Sequence, residues 1–178
     1  LVTGVQTCAL PISTITTTFT VNGGNGNNTL IGNNSSDIFN ITGVNAGNIT
    51  GLVTGFSNIE NLSGGTGNDT FTLASGVLSF NGSISGGGGI DTLAATDGTN
   101  AWQITGANAG TLNTTTVFSG ITNLAGGSGT DTLTGVAAGS SWSITGANAV
   151  SVSGMNGTSM EALVGGVGND SFTLASGV

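Results

Sequence analysis

The chain has no lysine, arginine, histidine or tyrosine, and only one cysteine and one proline. Without a cation it cannot neutralise phosphates, which excludes charge-driven binding of nucleic acid or of an anionic membrane surface. Without those side chains, acid–base chemistry falls to eight carboxylates: Asp37, Glu60, Asp69, Asp91, Asp97, Asp131, Glu161 and Asp170. No charged group is left to stabilise an oxyanion or a phosphate, so the chain reads as a non-enzyme. No apolar run approaches the roughly 18 residues that cross a bilayer as a helix. What the sequence has instead is 34 glycines among abundant Thr, Asn and Ser, a composition that disfavours helix and suits short strands.

The lone Cys8 and the lone Pro11 both fall in the first thirteen residues. Residues 2–12, VTGVQTCALPI, resemble a translated sequencing adapter. Residues 1–13 are accordingly expected to be foreign to the fold. The competing reading, the tail of a signal peptide, lacks a start Met and a basic n-region. The expected domain is then 14–178, a repeat fragment truncated at both ends, without a thiol for a disulfide or a Cys-ligated metal.

A repeat dominates that domain. An aliphatic residue, any residue and glycine recur at Val21–Gly23, Ile41–Gly43, Leu62–Gly64, Ile84–Gly86, Ile104–Gly106, Leu124–Gly126, Ile144–Gly146 and Leu163–Gly165, at intervals of 20, 21, 22, 20, 20, 20 and 19 residues. A large apolar residue precedes each aliphatic one: Phe19, Phe39, Ile59, Phe80, Trp102, Ile121, Trp142 and Met160. A third apolar set follows, including Leu30, Phe71, Leu93, Leu112, Leu133 and Phe172. The units have two flavours, (F/W)-x-I-T-G-x-N-A and L-x-G-G-x-G-x-D-(T/S), and GNDTFTLASGV ending at Val77 returns as GNDSFTLASGV ending at Val178.

A fixed period of this length predicts an all-β parallel solenoid of about eight coils, each of about 20 residues. The Phe/Trp-x-Ile step puts both residues on one face of a strand, and stacking at about 4.8 Å turns equivalent residues into apolar columns. Ile41, Leu62, Ile84 and Ile104 are expected to lie one above another. Each large buried side chain stabilises by about 1.5 to 3 kcal/mol. Trp102 and Trp142, which on other grounds suit sugar stacking, are assigned to the core by their phase beside the isoleucines. The Thr16–Thr18 and Thr114–Thr116 clusters do not recur on every coil, as an ice-binding face would require.

The repeats resemble those of giant bacterial surface proteins, the filamentous-haemagglutinin-like adhesins and autotransporter passenger regions. That resemblance implies a right-handed β-helix, export to the cell exterior and a stalk or adhesive role, with a receptor or glycan as partner. The units Gly64–Asp69, Gly86–Asp91, Gly126–Asp131 and Gly165–Asp170 are also similar to the GGxGxD nonapeptide of RTX calcium-binding proteins. Here they recur at 22, 40 and 39 residues instead of in tandem. The resemblance implies Ca²⁺ as a cofactor, with Asp69 and Asp91, which fall in consecutive coils, as the leading ligands and Asp131 and Asp170 behind them.

The alternative for all four aspartates is a corner residue accepting hydrogen bonds from backbone amides. A glycosidase using Asp69 and Asp91 as paired carboxylates is the one enzyme to name, and their membership of a repeated motif speaks against it. Two functions are thus expected: a structural or adhesive stalk segment, and alternatively an RTX-like region stabilised by calcium outside the cell. Neither requires membrane insertion, and exposed coil edges predict end-to-end self-association.

Overall fold

The computed structural model describes residues 19–178, which form nineteen short strands and no helix. The segment 1–13 and the Thr16–Thr18 cluster lie outside the described residues. The strands fall into two sheets of eleven and eight. The larger holds β1 (Phe19–Asn22), β3 (Ile38–Gly43), β4 (Ala46–Ile49), β5 (Val53–Ser57), β7 (Thr70–Leu73), β9 (Thr92–Ala94), β13 (Asn123–Ala125), β15 (Ser141–Gly146), β16 (Ala149–Val152), β17 (Met155–Thr158) and β19 (Ser171–Leu174). The smaller holds β2 (Thr29–Ile31), β6 (Asn61–Gly65), β8 (Gly82–Gly87), β10 (Ala101–Gly106), β11 (Ala109–Leu112), β12 (Thr116–Ser119), β14 (Thr132–Thr134) and β18 (Ala162–Val164).

The chain winds between the two sheets, and one crossing takes nine residues. That step leads from Leu30 to Phe39, from Leu62 to Phe71, from Ile84 to Leu93 and from Leu163 to Phe172. The apolar sets that looked like separate columns of one coil therefore face each other from opposite sheets. Coils stack in parallel register: Leu62 lies between Leu30 and Ile84, and Phe71 between Phe39 and Leu93. The Phe39 and Phe71 rings stack with centroids 4.6 Å apart, as columns of like side chains allow. The result is the expected all-β solenoid with a continuous apolar core. Phe19, counted on for that core, is 44% exposed on its edge strand.

The even winding does not hold. The (F/W)-x-I-T-G-x-N-A units are not coils but the first strands of antiparallel inserts, β3–β4–β5, β10–β11–β12 and β15–β16–β17. In each, the leading strand pairs in parallel with the coil ahead (β3 with β7, β10 with β14, β15 with β19). The chain then steps backward through two strands, and the last joins a strand already in place (β5 with β1, β12 with β8, β17 with β13). The turn asparagines drive the reversal: Asn45, Asn108 and Asn148 adopt left-handed φ of 51°, 53° and 52°, beside a register shift in the ladder.

Ile41, Leu62, Ile84 and Ile104 accordingly do not form one column. Leu62 and Ile84 are neighbours in the smaller sheet, but Ile41 sits in the larger one beside Leu73. Ile104 reaches the Leu62 row only through Gly110 and Phe118. The physical reason is that two excursions have the same contour. A plain turn carries Leu62 to Ile84, whereas a backward insert plus a crossing carries Ile41 to Leu62. The solenoid thus has fewer turns than the eight expected.

The inserts are packed by size complementarity. In the first two, a glycine on the middle strand faces a phenylalanine on the last: Gly47 opposite Phe56 and Gly110 opposite Phe118. In the third the sizes are exchanged, with Val150 opposite Gly157. A methyl group on Gly47 or Gly110 would lie 2.7 or 2.6 Å from the facing ring, closer than packed atoms approach.

Candidate functional site

The GGxGxD segments build the corners that lead into the strands. Gly65 turns at φ 111°, and a side chain there would strike the Asn33 carbonyl of the adjacent coil, so glycine is required twice over. The turn delivers a polar residue two positions ahead of each inward apolar one. Asp37 precedes Phe39, Glu60 precedes Leu62, Asp69 precedes Phe71, Asp91 precedes Leu93, Asp131 precedes Leu133, Glu161 precedes Leu163 and Asp170 precedes Phe172.

These carboxylates form ladders running along the stack. The Asp37 N–H donates to Asp69 Oδ1 at 2.7 Å, and the Asp69 N–H donates to Asp91 Oδ1 at 2.7 Å. On the other sheet's corner the Asn100 N–H donates to Asp131 Oδ1 at 2.9 Å and the Asp131 N–H to Glu161 Oε2 at 2.8 Å. The Asn28 N–H reaches Glu60 Oε2, and the Ser140 N–H reaches Asp170 Oδ1. Each bond joins a coil to the one after it. The amide-accepting role of Asp69, Asp91, Asp131 and Asp170 is therefore real, but the amide comes from the neighbouring coil and not from the residue's own turn. Asp97 stands outside the ladders, half-buried, where the Ser75 hydroxyl and the Gly76 amide hold its carboxyl below the ordinary value.

Sequence reasoning brought Asp69 and Asp91 together correctly and left Asp131 and Asp170 apart from them, as they are. It missed Asp37, Glu60 and Glu161 as ladder members because their turns lack the GGxGxD spelling. The usable signal was their position two residues before a Phe or Leu.

Burial without a counter-cation makes the ladder electrostatically tense. Asp69 and Asp91 are at most 1% exposed, and Asp69 Oδ2, Asp91 Oδ2 and Asp131 Oδ2 have no hydrogen-bond partner among the described residues. Desolvation pushes the Asp69 carboxyl up to about 6, opposed by the Asp37 amide and reinforced by the Asp37 and Asp91 charges. Burial likewise raises Asp37 and Asp131.

The unpartnered oxygens are the atoms a cation would seek. Two of them in adjacent coils fall well short of the six to eight oxygens calcium takes. Both also press on glycines, since a methyl group on Gly64 or Gly86 would collide with Asp69 Oδ2 or Asp91 Oδ2. Among the described residues no three acidic, His or Cys side chains are grouped so that they could hold one metal ion. The arrangement ties coil to coil.

A pH dependence follows. The folded chain holds the Asp69 proton more tightly than the unfolded chain does, with its carboxyl near 3.8, so stability rises as pH falls from about 6 towards 4. The gain expected from this group is about 1 to 3 kcal/mol, or several degrees in Tm. Asp69→Asn keeps an oxygen for the Asp37 amide, as Asn28 and Asn100 show an amide side chain fits such a corner. It should raise Tm at pH 7 and flatten the profile between pH 7 and 5. A melting temperature that drops steadily on acidification over that range would refute this account.

Two grooves outside the ladders are shallow. The larger groove is lined by residues such as Gln103, Ile104, Thr134 and Val167. Its single amide is spent, with Gln103 Nε2 donating to the Gly135 carbonyl at 2.7 Å and to the Ile104 carbonyl at 2.9 Å. No protein-family model, curated protein or solved structure matches this chain.

Proposed function

We propose that this chain is a structural segment, a rigid spacer or adhesive stalk, of a large exported bacterial surface protein, wound right-handed and without catalytic activity. The observation that carries the reading is the use made of the carboxylates. Glu60, Asp69, Asp91, Asp131, Glu161 and Asp170 all accept an amide of the preceding coil, so six of the chain's eight acidic groups hold the stack together. The uncharged Thr, Ser and Asn of the outer strand positions leave a glycan or a cell-surface receptor as the natural partner of the solvated faces.

Small-angle X-ray scattering tests the spacer reading. Eleven strands at about 4.8 Å set a longest dimension of roughly 50 Å. Extrapolated to infinite dilution, a compact rod of that length at all salt concentrations is the expected result, and an expanded, salt-dependent ensemble would remove the basis for a rigid spacer.

The second reading, an RTX-like region stabilised by calcium, rests on the unpartnered Asp69 Oδ2 and Asp91 Oδ2. Thermal melts in millimolar Ca²⁺ and in chelator separate the two. Binding to the folded state alone would raise Tm in proportion to occupancy. The stalk reading expects superimposable curves, and a calcium-dependent rise of several degrees would decide for the alternative.

A further inference from the structure

We infer that the corner of the second insert is a binding site for a small carboxylate, held between the Asp91 N–H and the Asn108 side-chain amide. The molecule builds this corner three times. Each insert leaves its last strand through an equivalent turn: Asn58-Ile59-Glu60, Gly120-Ile121-Thr122 and Ser159-Met160-Glu161. The first residue of each takes a positive φ, of 54°, 66° and 53°. The second is buried and donates its N–H to the carbonyl of the insert's own turn asparagine, Asn45, Asn108 or Asn148, at 3.2, 3.1 and 3.1 Å. The strand that follows then docks on the coil before it, through the N–H of Asn61, Asn123 or Ala162 to the carbonyl of Asn28, Asp91 or Asp131 at 2.9, 2.9 and 3.0 Å. The backbone frame is the same at all three corners.

The third residue is where they differ. In the first insert Glu60 spans two donors, Oε2 accepting the Asn28 N–H at 2.8 Å and Oε1 the Asn45 Nδ2 at 3.2 Å. In the third, Glu161 does the same, Oε2 accepting the Asp131 N–H at 2.8 Å and Oε1 the Asn148 Nδ2 at 2.8 Å. The corresponding donors of the second insert are the Asp91 N–H and Asn108 Nδ2. Thr122 stands there in place of glutamate and has no carboxylate to offer them, and among the described residues neither donor has an acceptor. Asn45 and Asn108 both bury Oδ1 without a partner among the described residues, so the two amides share the orientation that aims Nδ2 at a carboxylate.

Asp91 is fully buried, and a buried amide without an acceptor is costly. It is also the end of a ladder in which the Asp37 and Asp69 amides each have a carboxylate to bond. Two donors that engage the two oxygens of one carboxylate favour that group over a halide, which offers a single atom. Thr122 already supplies the first side-chain atoms of a glutamate, so formate or acetate completes the missing part. A second negative charge beside an aspartate has a precedent in the same molecule, where Glu161 bonds the Asp131 amide and, after burial, helps to raise the Asp131 carboxyl.

The test is an amide NMR titration of the full chain with sodium formate against sodium chloride at equal ionic strength, with thermal melts in both salts. The Asp91 N–H should move downfield and saturate with formate alone, and Tm should rise by about 2 to 5 °C. Thr122→Glu supplies the carboxylate covalently. It should melt above the wild type in chloride, hold its Asp91 N–H downfield from the start, and no longer respond to formate. Asn108→Gly keeps the left-handed turn, removes Nδ2 and should lose most of the formate response. An Asp91 N–H that formate leaves in place, an equal response to chloride, or a formate response that survives in Thr122→Glu would each overturn the proposal. Should either variant fail to fold, the wild-type titration decides alone.

Discussion

Gly110→Val should destabilise the chain by about 2 to 4 kcal/mol, and adding Phe118→Gly should recover part of that loss. The added side chain meets both the Phe118 ring at 2.6 Å and the Gln103 carbonyl, and neither can move without disturbing a coil. Overpacking of this kind costs about 1 to 3 kcal/mol, more where the backbone resists. The third insert shows the solution, because there Val150 occupies the middle strand and Gly157 has taken the place of the ring. Urea denaturation of the two single variants and the double gives the coupling energy directly. A favourable coupling above about 1 kcal/mol is expected for residues in contact. Strict additivity would show that the glycine is needed only for its approach to the Gln103 carbonyl.

Trp102→Ala should be the most damaging single truncation, at about 3 to 5 kcal/mol, whereas Trp102→Phe should cost little. The indole is 1% exposed, pairs in register with Leu133 and Leu112, and meets Phe118 edge to face at 6.2 Å. Its Nε1, however, is buried without an acceptor among the described residues, and so is that of Trp142. Phenylalanine loses some packing but also removes an unsatisfied donor, a penalty of about 1 to 3 kcal/mol. The two effects offset, while alanine leaves the void alone. Equilibrium unfolding monitored by circular dichroism distinguishes the cases. A Trp102→Phe loss as large as that of Trp102→Ala would mean that the indole nitrogen finds a partner, such as water, in solution.

The all-β character, the parallel stacking and the buried aromatic rows follow from period and composition, since a glycine-rich chain with apolar residues at fixed phase has few other ways to bury them. The inserts were hidden by an accident of length: Ile41 to Leu62 and Leu62 to Ile84 are nearly equal intervals that describe opposite directions of travel along the stack. Only the x-N-A after Ile-Thr-Gly distinguished them, through the readiness of Asn45, Asn108 and Asn148 to take positive φ. The site was legible in part. Spelling pointed to Asp69 and Asp91, but the ladder partners Asp37, Glu60, Asn100 and Glu161 are set by stacking, which brings together residues 22 to 32 positions apart.

The backward inserts bear on how such a chain forms as it leaves a ribosome. β3 emerges before β4 and β5 but lies farther along the stack, so the span between it and β1 stays open until Ser57 has appeared. The smallest piece that can close is thus a whole insert with its flanking coils, and each insert is a checkpoint in vectorial folding. Past it, no side-chain hydrogen bond among the described residues has to find a partner more than 36 residues back, so the search at the growing tip does not lengthen as the polymer does.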